Sequence, residues 1–226
     1  MKRLKTAMLN LFFPPKCIFC GRIIEADCEA ICAECLATLK RPAEYSPLDY
    51  TAGVAAAAVY TDDVRSAIAR YKFNGQTWLA EPFAELLAEA VRERLDGRFD
   101  TVTYVPLSHR RHRKRGYNQA QLLAEAVALK LEVPCVQALR KIRNTRENSS
   151  ITGDEAAKTR KKNVANAYEA LPDIGERRFL LIDDVLTTGS TASECARVLL
   201  AADAESVVVA AFALAGGGAK SADSIT

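Results

Sequence analysis

The chain has 226 residues, 49% of them hydrophobic, and a formal net charge of +3. That is enough for one α/β domain with a substantial core and a small appendage. No stretch approaches the roughly 20 apolar residues needed to span a bilayer, so no membrane-spanning helix is expected.

The chain opens with MKRLKTAMLNLFFPP, basic and then apolar. The apolar part is short, and no small-residue cleavage site follows it before the cysteines. The pattern predicts an amphipathic helix packed on the body, not a secretory signal, and a cytoplasmic protein. Five of the seven cysteines then fall within 17–35. Cys17 and Cys20 form one C-x2-C pair, Cys32 and Cys35 another, with 11 residues between the pairs. Each pair can put two thiolates on one metal, and together they complete a tetrahedron. Gly21 suits the tight turn of a zinc knuckle. A redox-active C-x2-C needs only one pair, and a disulfide framework needs an oxidising compartment that nothing here indicates. The reading is structural Zn2+ on Cys17, Cys20, Cys32 and Cys35, with no open position for catalysis. Cys28 either replaces one ligand or remains a spare thiol, and spacing favours the second. The expected organisation is a helix and zinc knuckle over 1–45, an α/β domain over 46–215 and a disordered tail over 216–226.

Within the larger part, 55–60 reads as a strand and 62–72 as a helix that ends at KFNG. Lys72 either points at a site or complements the helix C-terminus. Residues 78–95 form a clear amphipathic helix. DTVTYVPL, 100–107, is a strand ending at a proline, and AQLLAEAVALKL, 120–131, is a helix. Between them runs SHRRHRKRGYNQA, read as a loop carrying Arg110, Arg111, Arg113, Lys114 and Arg115, with Gly116 for a tight turn. A pyrophosphate there meets several cations and the start of a helix. His109 and His112 read as surface residues. A second polar, basic run covers 139–164, with a possible short helix at 154–162. It reads as either a functional loop or a disordered segment, and as a loop its Arg160 and Lys161 can fold down over a bound polyphosphate. From Ser108 to Asn163 there are 14 Lys or Arg against 5 Asp or Glu, so the rest of the chain is net acidic. Such asymmetry points to an anionic ligand at the basic segment.

FLLIDDVLTTGST, 179–191, is the most specific stretch. Residues 179–182 read as a strand buried on both faces, which puts Asp183 and Asp184 at its carboxyl end, where open α/β sheets bind ligands. Thr187, Thr188, Gly189, Ser190 and Thr191 form the turn into a helix that begins near Ser190. Backbone N–H groups and four hydroxyls make an anion cradle there, and Gly189 permits a backbone that a Cβ resists. Two carboxylates repel a phosphate, so they take another role: accepting hydrogen bonds from the 2′- and 3′-hydroxyls of a ribose, beside Mg2+. The last strand is 206–214.

The 179–191 stretch resembles the phosphoribosyl pyrophosphate (PRPP) motif of type I phosphoribosyltransferases. CIFC and CAEC, YKFNG, VPLSHRRHRKRGYNQAQLLA, RNTREN, RKKNVANAY and FLLIDDVLTTGST in this order resemble the ComF family, over about residues 17–214. The resemblance implies a type I phosphoribosyltransferase fold, a mostly parallel sheet flanked by helices, with the zinc knuckle appended. It implies PRPP and Mg2+ at Asp183, Asp184 and 187–191, and pyrophosphate near Arg110, Arg113, Arg115 and Gly116. It also implies a part in natural transformation, handling incoming single-stranded DNA with a helicase partner. Asn148 departs from the family's usual glutamine and is shorter by a methylene. Nothing in the sequence selects an acceptor. Three functions follow: an active transferase, a non-catalytic binder with PRPP or a nucleotide as effector of DNA handling, and a nucleic-acid-binding module on this scaffold.

Overall fold

The structure, a computed structural model, describes residues 14–25, 30–43, 45–143 and 164–215. The N-terminal helix, Cys28, Asn148, the 154–162 helix, Arg160, Lys161 and the tail lie outside the described residues.

Four parallel strands make the central sheet: β1 (Gly53–Val59), β2 (Thr101–Tyr104), β5 (Arg178–Leu186) and β6 (Ser206–Leu214), in the order β1-β6-β5-β2. Parallel strands covered on both faces read as continuous apolar runs, and SVVVAAFAL does. Its alternation sorts the core. Val208, Ala210 and Phe212 pack with α2 (Asp62–Phe73), α3 (Ala80–Leu95) and α5 (Gln119–Leu131), whereas Val207, Val209 and Ala211 pack with α6 (Ser190–Leu200). On β5, Leu180 and Ile182 face the first side and Phe179 and Leu181 the second. Aromatic packing holds the first layer, with Phe83 stacked on Phe212 at 3.8 Å and Tyr71 edge-on to Phe83 at 5.4 Å.

Local sequence fixes the helix ends. α2 begins with Asp62 and Asp63 and ends with Arg70 and Lys72, the charge order that complements the helix dipole. Asn118 caps α5 by accepting from the Ala120 N–H at 3.0 Å, while its side-chain amide donates to the Val105 carbonyl at 3.2 Å. One residue thus ties the end of β2 to the start of α5. Both outer strands are covered. Val59 N–H donates to the Lys40 carbonyl, and Tyr45 bonds both backbone groups of Ala56. On the far side Val102 exchanges backbone bonds with Pro134 and Val136.

Two segments differ from the sequence reading. Residues 109–115, read as a loop, form helix α4 (His109–Arg115). Arginine and lysine are good helix formers, and two turns fit before Gly116, whose φ of +84° ends the helix with its N–H on the His112 carbonyl. The 139–164 run, read as one polar loop, starts in β3 (Leu139–Lys141), which pairs antiparallel with β4 (Tyr168–Ala170). Strands of three residues are too short for alternation to register. Leu139–Lys141, at the start of the run, and Tyr168–Ala170, just beyond it, therefore form a two-stranded ribbon.

Candidate functional site

β5 runs four residues past the point where the 179–182 strand was expected to stop, so the acidic doublet lies inside the strand. Its pairing with β2 ends at Ile182, whereas pairing with β6 continues through Leu186. Asp183 and Asp184 thus sit at the carboxyl end of the sheet, beside a neighbour that has already ended. Successive strand residues face opposite ways. Asp183 faces Tyr168 and Cys195, and Asp184 faces Lys72 and Tyr71.

The two carboxyls have different electrostatics. Burial works to raise the Asp184 carboxyl, but the Lys72 ammonium, with Nζ 2.6 Å from Oδ2, outweighs it and holds the group below the usual carboxylate range. Burial, with the Asp184 charge added, pushes Asp183 up to about 8. Two adjacent carboxyls served by one ammonium do not both ionise readily near neutral pH. Asp184 Oδ2 is shielded from water, and although in charge contact with Lys72 it makes no hydrogen bond of regular geometry. The site therefore has capacity left for hydroxyl donors or a cation.

The turn after β5 forms the cradle. Thr187 and Thr188 are exposed, Ser190 and Thr191 half-buried, and the Thr188 and Ser190 hydroxyls lie 2.9 Å apart. Gly189 has a φ of +69°. A Cβ there would run into the Leu48 side chain. Glycine is thus required twice over, for its left-handed backbone and for the close approach of Leu48. α6 starts at Ser190, and helix geometry leaves its first N–H groups without intrahelical acceptors.

The cationic rim comes from α4 and α5. Arg111 and Arg115, four residues apart, share a face. The Arg111 charge is felt at Tyr168, and Arg115 donates to the side-chain oxygen of Gln119. Arg110 and Arg113 are exposed. Residues singled out as one pyrophosphate group thus divide into an inner and an outer set, and Arg111 joins the inner one. Its spacing to Arg115 on a helix carried that information, but only once 109–115 is helical. Lys72, left open between two roles in the sequence, points at the doublet.

The β3–β4 ribbon is fixed to the cradle. Lys141 Nζ donates to the buried Tyr168 hydroxyl at 3.0 Å, and that hydroxyl also bonds the Thr191 side chain. Glu194, on α6, accepts from the Asn166 N–H at 2.7 Å and pairs with Arg197 at 2.9 Å. Sequence reading missed Lys141, Tyr168 and Glu194, because each lies in or beside an element too short or too ordinary to mark it.

The front of the chain forms a separate centre. The Sγ atoms of Cys17, Cys20, Cys32 and Cys35 all lie within 4.8 Å of one another, with Cys20 and Cys32 3.8 Å apart. Zn–S bonds of about 2.3 Å in a tetrahedron put sulfurs about 3.8 Å apart, so the set fits Zn2+. The first pair sits in a knuckle: Cys17 N–H donates to the Arg22 carbonyl, and Gly21, at φ +72°, donates back to Cys17. The second pair starts α1 (Ala33–Thr38), where Cys32 Sγ accepts from the Cys35 N–H. Ile18 and Phe19 between the ligands belong to the same core as Phe83 and Phe212, so this centre packs on the main domain.

Comparison with known proteins agrees with both parts. A phosphoribosyl transferase domain matches residues 117–225 and a double zinc ribbon domain residues 8–46. The chain is 32% identical to competence protein F of Haemophilus influenzae, over 66% of this chain and 67% of that protein. It is likewise 32% identical to the DNA utilization protein YhgH of Salmonella typhimurium, over 66% of each. It is 26% identical to competence protein ComFC of Streptococcus pneumoniae, over 85% of this chain and 96% of that one. The chain belongs to the ComF family, with a phosphoribosyltransferase-type α/β domain carrying a four-cysteine zinc ribbon.

Proposed function

We propose that this chain binds PRPP or a related phosphoribosyl ligand with Mg2+ at the carboxyl end of β5, and that it serves DNA uptake or DNA processing in the cytoplasm. The observation that carries the reading is the acidic doublet beside a helix-start cradle and an inner pair of arginines. Asp183 and Asp184 accept from the ribose hydroxyls. Thr187, Thr188, Gly189, Ser190 and Thr191 hold the 5′-phosphate. Arg115 with Arg111 holds pyrophosphate from the inner face of α4, Arg110 and Arg113 flank it from the outer face beside the turn at Gly116, and Arg160 and Lys161 close over it. Asp184 Oδ2, which has accepting capacity beyond its Lys72 contact, and the neighbouring Asp183 carboxyl are the oxygens that would suit Mg2+, which would supply positive charge for the phosphates. In the transferase form the C1–pyrophosphate bond breaks with positive charge developing on the ribose. The chain then needs no strong nucleophile: it holds the departing charge with preorganised cations and positions the acceptor. The DNA role is supported by the relatives' names, competence protein F and DNA utilization protein.

A second reading rests on α4, none of whose residues is buried and whose outer cations face solvent. There the chain is a non-catalytic single-stranded-DNA-binding accessory protein partnered with a helicase, with PRPP or a nucleotide as effector. Calorimetry with PRPP and Mg2+ tests the first reading: wild type binds, and the Asp183→Asn, Asp184→Asn double variant loses at least tenfold in affinity. Equal affinity rejects it. Oligonucleotide binding that falls steeply with salt and competes with PRPP favours the second.

A further inference from the structure

The last turn of α2 touches the site through three consecutive residues. The Tyr71 hydroxyl donates to the Gln119 backbone carbonyl at 2.6 Å. Lys72 Nζ lies 2.6 Å from Asp184 Oδ2. Phe73 carries the Arg115 guanidinium over its ring, 5.0 Å from the centroid. The contacts close on themselves. Arg115 donates to Gln119 Oε1, the Gln119 side chain lies close enough to Asp184 to favour its carboxylate, and the Tyr117 hydroxyl donates to the Tyr71 carbonyl. One helical turn therefore contacts the acidic doublet, the rim arginine and the residue that joins them.

Lys72 and Asp184 do not form a surface ion pair. Their side chains are only 20% and 7% exposed. Exposed pairs contribute little, whereas removing one partner of a buried pair leaves an uncompensated charge. Nor does Lys72 simply answer the helix dipole, since its ammonium sits on a carboxylate of β5. The contact is also incomplete, because Asp184 Oδ2 keeps unused accepting capacity.

We infer that Lys72 is a positioning residue: its ammonium fixes Asp184 in a ligand-facing pose and, through Gln119, ties it to Arg115, so that acidic doublet and cationic rim are assembled before a ligand arrives. The inference rests on the phosphoribosyl reading of the site. Groups already in place are not ordered at the moment of binding, which raises affinity. The fixed ammonium also supplies part of the positive charge that a divalent cation would bring, so binding retains a component that survives chelation.

The test uses the full chain as wild type, Lys72→Met and Lys72→Arg, with PRPP titrated in Mg2+ and in EDTA. Lys72→Met is expected to lose at least tenfold in affinity, about 1.4 kcal/mol, with the larger loss in EDTA, and Lys72→Arg to recover most of it. Recovery by arginine separates positioning from a general loss of structure. If Lys72→Met does not fold, Lys72→Gln takes its place with the same loss expected. In parallel, Lys72→Met and Asp184→Asn are combined in a double-mutant cycle of urea unfolding without ligand, where the double variant is expected to lose less than the two single losses together. PRPP affinity within twofold of wild type in both buffers overturns the inference, as does an additive cycle. Failure of the wild type to bind PRPP overturns it too, and is told apart because the cycle's coupling then survives while the phosphoribosyl reading falls.

Discussion

Replacing Gly189 by alanine strikes the cradle in two separable ways. At a φ of +69° an L-residue costs about 1 kcal/mol in backbone strain. The new Cβ also meets Leu48, whose Cδ2 it overlaps and whose Cγ and Cδ1 lie 3.3 Å away. Overpacking of this kind costs about 1–3 kcal/mol, so the expected total is about 2–4 kcal/mol. Leu48 is half-buried and belongs to the segment leading into β1, so shortening it removes the clash and leaves the strain. In a Leu48→Ala background, Gly189→Ala should then cost only about 1 kcal/mol, a coupling of about 1–3 kcal/mol. Urea unfolding followed by far-UV circular dichroism measures all four proteins. The reasoning fails if Gly189→Ala is neutral, or if it costs the same with and without Leu48. Either result means that the turn takes another path.

Cys32→Ser should reduce bound zinc from about one ion per chain to a small fraction, read by elemental analysis. Because Ile18 and Phe19 share the main core, it should also lower the thermal midpoint of the whole domain. Asp183 makes ligand-free stability depend on pH. With its carboxyl pushed up to about 8 from an ordinary 3.8, the folded chain keeps a proton that the unfolded chain releases. That stabilisation is complete below the unfolded value and is lost as pH rises through about 8. Wild type should therefore lose more of its thermal midpoint between pH 5 and pH 8 than Asp183→Asn does. Glu194→Ala removes the carboxylate that holds the exposed Asn166 N–H and should cost about 1 kcal/mol, with faster amide exchange at 164–168 read by mass spectrometry.

Much of this architecture was legible in the chain. Helices at 62–72 and 120–131 and the strand at 206–214 were read within a residue or two of their ends, because each is long, apolar and strongly patterned. The strand at 179–182 was read too short. Two aspartates look like a strand end, yet pairing with β6 carries the strand through them. α4 was invisible because a run of basic residues has no apolar face to show helical period, though its residues have good helix propensity. The β3–β4 base was missed because three-residue strands carry no period. In the site, the doublet and the cradle announced themselves by composition. Lys72 showed itself only as one of two open roles and Tyr168 not at all, since their importance lies in which distant segment each one meets.

Backbone amide NMR of the zinc-loaded chain, titrated with PRPP and Mg2+, puts the account to its plainest trial. Signals of Asp183 through Thr191 should shift together with those of Arg111, Arg115 and Gln119, and saturate at one common ligand concentration. Shifts confined to the zinc ribbon or to the outer face of α4, with residues 183–191 unmoved, would contradict it.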